Sequence, residues 1–268
     1  MGKIKFTYAP IDTKKGKKQY YLSYSVVFAA AVLLVYCWYF GLGRTFIWNG
    51  DGWVQHFKAL VYYSRYLRSI IRELISSHRL VIPEWDFCIG EGSDILQTLH
   101  YYVIGDPFAF FSVFVPVRFM HLYYNSMILL RLYLSGILFS VLCFENGCRS
   151  RYGVLAGSLS YVFCFWAMFN TARHPFFLNP MVYLPMLLIG VERIFRGRRL
   201  YFMIAAVFLS AVSNLYFFYM LVMVTVIYTA LRLAVFYRKT PALRKEGLRL
   251  FLRIVFASVV GVGLAAVI

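Results

Sequence analysis

The sequence predicts an all-α polytopic membrane protein, and two observations carry this prediction. Hydrophobic residues make up 61% of the 268 residues, whereas an average soluble domain contains roughly 45–50%. The chain also contains several continuous apolar runs of about 20 residues, which is the length that a helix needs to cross a bilayer. Because these runs do not alternate apolar with polar residues, they argue against an outer-membrane β-barrel.

The charge pattern supports the same fold class. The formal net charge is +17, which in a soluble protein would favour nucleic-acid binding. Here Lys and Arg cluster in short segments between apolar runs, which is typical of the positive-inside rule and of contact with anionic lipid headgroups. We therefore expect membrane lipid as a partner and no nucleic acid.

The N-terminal part divides into a basic segment, a first helix and a long loop. Residues 1–21 are basic, and the apolar run at residues 22–42 predicts an uncleaved first helix that begins in the cytoplasm. We expect a transmembrane domain over residues 22–268, with residues 44–107 as its first extracytoplasmic loop. Residues 53–75 show apolar side chains at helical spacing, which predicts an amphipathic interfacial helix within that loop.

The rest of the chain predicts further spans and turns. Residues 83–94 are loop-like, with Gly90 and Gly92 as turn residues. A single helix over residues 200–237 would leave a cluster of cations on the outer side, so we predict a hairpin that is broken at Ser213 and Asn214. The other predicted segments are a short re-entrant or interfacial helix over residues 108–117 that begins at Pro107, spans at 122–144, 152–169 and 176–194, hairpin arms at 201–212 and 215–237, and a last helix from Leu250.

The predicted topology places three polar segments on the outer side of the membrane. The first loop, the turn at residues 170–175 and the Ser213–Asn214 tip face the same outer side, so polar groups from distant segments are expected to converge there. The last apolar run continues to Ile268, which predicts a piece of a longer protein or a chain that ends in a helix.

Known cofactor motifs are missing from the sequence. The five cysteines show no metal-ligand spacing, and there is no Walker loop, dinucleotide fingerprint or nucleophile elbow. We therefore expect neither a His- or Cys-based metal site nor nucleotide-driven chemistry.

Asp51 is the first catalytic candidate. It stands between Gly50 and Gly52 just after the first helix, where a tight turn can bring the backbone close to a ligand. Its carboxylate could act as the general base for a hydroxyl nucleophile, or it could cap the amphipathic helix. Gln55 and His56 follow one helical turn later and are candidate substrate-binding residues.

A second group of candidates lies further along the same loop. The carboxylates of Glu84 and Asp86 could bind a cation or polarise a hydroxyl, and Trp85 offers a flat face to a sugar ring. The alternative is a solvated loop whose tryptophan anchors in the membrane interface.

A third group contains Gln97, Tyr101 and Asp106, which we also take as candidate substrate-binding residues. Asp106 precedes Pro107, and Pro suits the first turn of a helix. An N-cap is therefore an equally good interpretation of Asp106.

Three cationic or polar candidates come from the predicted spans and turns. Arg131 lies within a span, where a buried Arg is expensive and suggests function, through pairing with a carboxylate or with a lipid phosphate. Arg173 and His174, on an outer turn, could meet a phosphate or be ordinary exposed residues. Asn214 lies at the polar tip of the predicted hairpin.

Five motifs occur in order along the chain, and together they suggest a family. They are Gly50-Asp51 with Gln55-His56, Pro83-x-Trp85-Asp86 with Ile89-Gly90-x-Gly92, Gln97-Thr98-Leu99 with Tyr101-Tyr102 and Gly105-Asp106-Pro107, Leu129-Leu130-Arg131-Leu132-Tyr133, and Ser213-Asn214-Leu215-Tyr216-Phe217-Phe218-Tyr219. From about Tyr20 to the end, the chain resembles the bacterial YfhO-type membrane proteins. The charged Glu91 between Gly90 and Gly92 departs from that pattern, which leaves the role of Glu91 open.

This resemblance implies a fold and an activity. YfhO-type proteins resemble glycosyltransferases of the GT-C class, so it implies a GT-C-like helical bundle in the bacterial cytoplasmic membrane. It implies a polyprenyl-phosphate-linked sugar donor and an envelope-polymer acceptor such as lipoteichoic acid. Asp51 matches the catalytic Asp that such enzymes place in the first outer loop, and Arg131 or Arg173 could stabilise the phosphate leaving group.

The sequence does not decide whether a divalent cation assists the reaction. It also leaves two alternative functions open, a transporter or flippase for a lipid-linked envelope intermediate and a non-catalytic scaffold in envelope assembly.

Overall fold

The computed structural model describes residue 11 and residues 13–239 and 244–266. These residues form a bundle of helices with a single pair of two-residue strands, which confirms the all-α fold of a polytopic membrane protein. The regular elements in chain order are α1 (Lys14–Gly41), a π-helical turn (Gly52–Phe57), α2 (Lys58–Ser77), β1 (Trp85–Asp86), β2 (Ser93–Asp94), α3 (Ile95–His100), α4 (Pro107–Phe110), α5 (Met120–Glu145), α6 (Arg151–Val162), α7 (Phe165–Ala172), α8 (Asn179–Phe195), α9 (Tyr201–Ser213), α10 (Leu215–Lys239) and α11 (Arg244–Ala265). Short 3-10 turns cover Phe111–Phe114, Val117–Phe119 and Pro175–Leu178.

Five of the described helices are long and apolar enough to cross a membrane, namely α1, α5, α8, α10 and α11. Helices α6 and α7 pass the same test together but are bent by 42° at their junction. The segment predicted to span the membrane at residues 152–169 is therefore either one span that is broken between α6 and α7 or a re-entrant pair of helices.

The first and last long helices begin earlier than the apolar runs predicted. Helix α1 starts at Lys14, where the hydroxyl of Thr13 accepts a hydrogen bond from the Gly16 N–H at 3.0 Å. Helix α11 starts at Arg244 rather than near Leu250. Apolar runs mark the part of a helix that suits lipid, whereas helical hydrogen bonding continues through the flanking charged residues.

The hairpin break is confirmed at the residues predicted. Helix α9 ends at Ser213, and Asn214 has an extended backbone before α10 begins. At 1.5 Å per residue the 13 residues of α9 extend about 20 Å, which is short of a roughly 30 Å hydrocarbon core. Ser213 and Asn214 are buried rather than displayed on an exposed tip, since both are only 6% exposed.

The first loop contains a helix and a small hairpin. The predicted amphipathic segment is helical, and the N-terminal half of α2 buries Leu60 and Tyr63. Trp85 pairs with Asp94 across β1 and β2, and Gly90 and Gly92 take positive φ angles in the turn between them, as predicted. The loop is thus folded onto the bundle.

Two ends of the bundle differ in their polar residues. One end of the bundle, which we name the loop end, contains residues 42–57, 101–107 and 173–175. The opposite end, where residues 145–151 and 195–200 lie, is the basic end. There Glu145 pairs with Arg193, Arg196 and Arg198, and Glu192 pairs with Arg232.

Candidate functional site

A tight turn around Trp48 positions Asp51 at the loop end. The N–H of Trp53 donates to the carbonyl of Trp48 at 2.8 Å, and a Cβ at Gly52 would stand only 3.0 Å from Cβ of Trp48. Asp51 has helical backbone angles at the start of the π-helical turn, and its side chain makes no capping hydrogen bond. The capping interpretation of Asp51 is therefore wrong, and its carboxylate is left for other contacts.

Gln55 and Tyr102 hold the carboxylate of Asp51. The side-chain amide of Gln55 donates to Oδ1 of Asp51 at 3.0 Å. The hydroxyl of Tyr102 then donates to Oε1 of Gln55 at 2.7 Å. Because Gln55 accepts with its oxygen and donates with its nitrogen, this chain fixes the amide orientation. One carboxylate oxygen is thereby oriented, and the half-buried side chain remains open to solvent.

His56 and His174 form the second part of the site. Nε2 of His56 lies 2.9 Å from Nδ1 of His174, so one imidazole donates to the other. The pKa of His56 is lowered to about 4, mainly by burial and also by His174, while the carboxylate of Asp51 acts in the opposite direction. Burial also lowers the pKa of His174. The lowered pKa values leave both rings uncharged at neutral pH, so one ring donates its N–H and the other accepts with an unprotonated nitrogen.

Arg173 supplies a positive charge beside this histidine pair. Its exposed guanidinium lies over the rings of Phe169, at 4.5 Å, and Trp48, at 5.0 Å. Trp48 belongs to the turn that positions Asp51. The structure therefore brings the first loop and the turn before α8 together through two contacts, His56 with His174 and Trp48 with Arg173.

Tyr101 stands at the edge of the same group. Its ring packs edge-on against Tyr102 at 4.9 Å and against Phe176 at 5.1 Å, and it is 47% exposed. Tyr101 thus forms an aromatic wall beside the hydrogen-bond chain of Asp51.

Arg131 and Asp106 form a buried ion pair beneath these residues. Their side chains are 1% and 3% exposed, and the guanidinium also donates to Oδ1 of Asn179 at 2.7 Å. Asn179 in turn donates to the hydroxyl of Ser213 at 2.9 Å. The prediction that Arg131 pairs with a carboxylate is confirmed, and its burial leaves no exposed guanidinium for a lipid phosphate.

Asp106 performs two structural tasks at once. Its Oδ1 accepts from the N–H of Phe108 at 2.9 Å, which confirms the N-cap interpretation, while its other oxygen pairs with Arg131. A cavity of about 10 Å³ is lined by His56, Tyr102, Asp106 and Arg131. The ion pair therefore lies buried directly beneath His56 and Tyr102.

The hairpin residues form a separate group. Asp86 accepts from the hydroxyl of Tyr62, and this hydrogen bond lowers the pKa of the Asp86 carboxyl. Glu84 and Trp85 are exposed. Within the described residues, no hydrogen bond or ring contact joins this group to Asp51.

Gln97 and Asn214 also lie apart from Asp51. Gln97 is exposed on α3, and its N–H donates to the capping carboxylate of Asp94 at 2.7 Å. Asn214 is buried, and its Oδ1 accepts from the N–H of Phe217 at 3.1 Å at the start of α10. Their roles as substrate-binding residues remain predictions.

Sequence reasoning missed Trp48 and Asn179 as members of the site or its support, and it named Tyr102 without assigning it a role. Tyr102 sits beside Tyr101 in a quoted motif, so the motif contained a signal for it. Nothing in the sequence around Asn179 distinguishes it from other polar residues near a span end. Among the described residues, no three His, Cys, Asp or Glu side chains are grouped to hold a metal ion.

Comparison with known proteins gives one match. The family model described as "Bacterial membrane protein YfhO" matches residues 25–268. No curated protein and no solved structure matches the chain.

Proposed function

The chain belongs to the YfhO family of bacterial membrane proteins, and we propose that it is a glycosyltransferase acting on the extracytoplasmic side. Its donor is a sugar linked to polyprenyl phosphate, and its acceptor is a hydroxyl of a cell-envelope polymer such as lipoteichoic acid. One observation carries this proposal: the half-buried carboxylate of Asp51 is oriented by Gln55 in the same turn whose Trp48 ring contacts an exposed cation, Arg173.

The distribution of charge supports the sidedness of this proposal. Residues 145–151 and 195–200 at the basic end carry several arginines, and the positive-inside rule assigns such segments to the cytoplasm. Asp51 lies at the opposite end of the bundle, so the site faces outward. The N-terminal lysines of α1 then lie on the cytoplasmic side.

The proposed chemistry uses Asp51 as the general base. The acceptor hydroxyl oxygen attacks the anomeric carbon of the sugar, and its proton passes to the carboxylate of Asp51. The bond between the anomeric carbon and the phosphate oxygen breaks, and the polyprenyl phosphate leaves with the electron pair. The amide of Gln55 holds Oδ1, so Oδ2 is the oxygen that meets the hydroxyl.

Arg173 is the cation proposed to stabilise the leaving phosphate. A positive charge aimed at a developing negative charge stabilises the transition state more than the ground state. Of the two arginines that the sequence suggested for this role, Arg131 is neutralised by Asp106 and buried. Arg173 is exposed, and its ring contacts hold it near the turn that carries Asp51.

The experiment is sugar transfer in membranes that contain the protein, with a polyprenyl-phosphate sugar donor and an envelope-polymer acceptor. Asp51→Asn keeps the side-chain size and removes the base, so transfer should fall at least about tenfold. The matched control is Glu91→Gln, an exposed acid in the hairpin turn, which should transfer as well as wild type.

Two results would contradict the proposal. Transfer by Asp51→Asn at the wild-type rate would make Asp51 structural. No transfer by the wild type with any polyprenyl-phosphate sugar would favour a transporter of lipid-linked intermediates or a scaffold.

A further inference from the structure

The cations of the basic end divide into two groups by their partners. The first group is neutralised by buried or nearly buried glutamates. Glu145 lies 3.3 Å from Arg193 and 3.1 Å from Arg198, and Glu192 lies 2.5 Å from Arg232. These arginines hold the ends of α5, α8 and α10 together.

The second group lies on one face of α11. Lys245, Arg249 and Arg253 follow each other at intervals of four residues, so they stack along the helix over about 12 Å. Together with apolar side chains they line an open cavity of about 330 Å³ at the basic end. The apolar residues that line it are Leu200, Leu248, Leu252 and Phe256.

These cations have little compensation from carboxylates. Among the described residues, Glu246 is the acid that approaches them, 3.8 Å from Arg249, and both of these side chains are largely exposed. An exposed pair of this kind contributes little. Arg253 is oriented by a hydrogen bond of 2.7 Å to the carbonyl of Arg198. The cavity therefore keeps a net positive charge with a fixed guanidinium at its wall.

The order of residues along α11 matches the order of groups in a phospholipid. Lys245 and Arg249 come first, near the end of the apolar segment, where the headgroup region lies. Leu252 and Phe256 follow toward the middle of the span, and they are 54% and 57% exposed within the chain. A phosphate at the cations thus places an acyl chain along exposed leucine and phenylalanine.

We propose that Lys245, Arg249 and Arg253 bind the headgroup of an anionic phospholipid from the leaflet at the basic end. The phosphate accepts hydrogen bonds from the guanidinium and ammonium groups, and the acyl chain packs on Leu252 and Phe256. This site lies at the opposite end of the bundle from Asp51. It is therefore independent of the proposed transferase and does not concern its donor.

The test uses the purified chain in detergent micelles, titrated with phosphatidylglycerol or phosphatidylcholine and followed by native mass spectrometry. The test variant combines Lys245→Gln, Arg249→Gln and Arg253→Gln. The control variant combines Lys14→Gln, Lys15→Gln and Lys18→Gln, which removes the same charge from exposed positions of α1.

We expect the wild type and the control to bind phosphatidylglycerol at least tenfold more tightly than phosphatidylcholine. The α11 variant should lose at least tenfold in affinity for phosphatidylglycerol, because each of the three cations near a headgroup contributes about 1 kcal/mol, which is roughly fivefold in affinity. Circular dichroism of each variant verifies that it is folded. If the triple variant does not fold, the single variant Lys245→Gln replaces it and should lose severalfold.

Three outcomes would overturn the proposal. Equal losses in the α11 variant and the control would mean that only total charge matters. Equal affinity of the wild type for both lipids would exclude an anionic headgroup site. Full competition by soluble glycerol phosphate would indicate an anion site that takes no lipid chain.

Discussion

Nε2 of His56 meets Nδ1 of His174 at 2.9 Å, although the two residues are 118 positions apart in the chain. This contact joins the first loop to the turn before α8. It brings the exposed guanidinium of Arg173 to the side of the loop that carries Asp51. A carboxylate and a cation that are distant in sequence thus lie at one turn of the structure, and the proposed transfer from a phosphate-linked donor uses both.

The first prediction concerns stability against pH. Folding lowers the pKa of His56 to about 4, whereas an unfolded His has a pKa of about 6.5. Between these values the unfolded chain binds more protons, so the free energy of unfolding falls as the pH drops from about 6.5 towards 4. The full loss is on the order of 3 kcal/mol, and thermal unfolding across this range measures it.

The control for this prediction is a substitution of the same kind outside the pair. His56→Gln should flatten the dependence of stability on pH between about 6.5 and 4. His121→Gln, at an exposed position, should keep it. A wild-type protein whose stability does not change over this range would contradict the assignment of His56 as a buried neutral imidazole.

The second prediction concerns the buried pair of Arg131 and Asp106. Asp106→Asn leaves an uncompensated guanidinium in a buried position, so it should destabilise the protein by about 3–5 kcal/mol. The double variant Asp106→Asn with Arg131→Met removes that charge and should recover a large part of the loss. Unfolding midpoints in detergent test both statements, and a single variant within about 0.5 kcal/mol of wild type would contradict them.

The third prediction concerns the glycine before Asp106. Gly105 has a φ of +82°, and a Cβ there would lie 2.0 Å from the carbonyl oxygen of Val212. Gly105→Ala should therefore destabilise the protein by roughly 2–4 kcal/mol, since it combines backbone strain with a clash. Gly43→Ala is the matched control, because Gly43 has a φ of +69° and open space around it.

Gly43→Ala should cost only the strain, about 1 kcal/mol. Equal unfolding midpoints for the two alanine variants would show that the loop containing Gly105 does not pack on the end of α9 as described.

The fourth prediction concerns Tyr102 as a positioning residue. Tyr102→Phe removes the hydroxyl that holds Gln55, a neutral hydrogen bond of about 1 kcal/mol, so kcat for transfer should fall about fivefold. The donor KM should stay unchanged, because Tyr102 acts through Gln55 on the base. Tyr152→Phe removes a hydroxyl from an exposed position at the basic end as the control and should leave kcat near wild type.

The sequence predicted those features of the fold that depend on contact with lipid or on the cost of a buried charge. The polar pair Ser213–Asn214 ends α9 and precedes α10, and it is the polar break near the middle of that apolar run. A buried Arg131 demanded a counter-charge, and Asp106 supplies it. The sequence alone did not identify Asp106 as the partner of Arg131, since the first loop contains several acidic residues that could pair with it.

Features that depend on packing were not predictable from the pattern. The bend between α6 and α7 falls in a wholly apolar stretch around Cys164, where composition gives no break signal. Glu192 lies one residue before Arg193 in a cationic segment, and only the fold places it against Arg232 of α10. The contact of His56 with His174 is likewise a product of the tertiary structure.

The most direct test of the central claim separates the chemical step from donor binding in Asp51→Asn. Single-turnover transfer and donor affinity are measured on the same preparation of membrane protein, with Glu91→Gln as the control. The account predicts a donor Kd within about twofold of wild type and a transfer rate at least about tenfold lower, because a general base acts on the acceptor proton only during reaction. A transfer rate equal to wild type, or a loss that appears entirely in donor Kd, would contradict the assignment of Asp51 as the base.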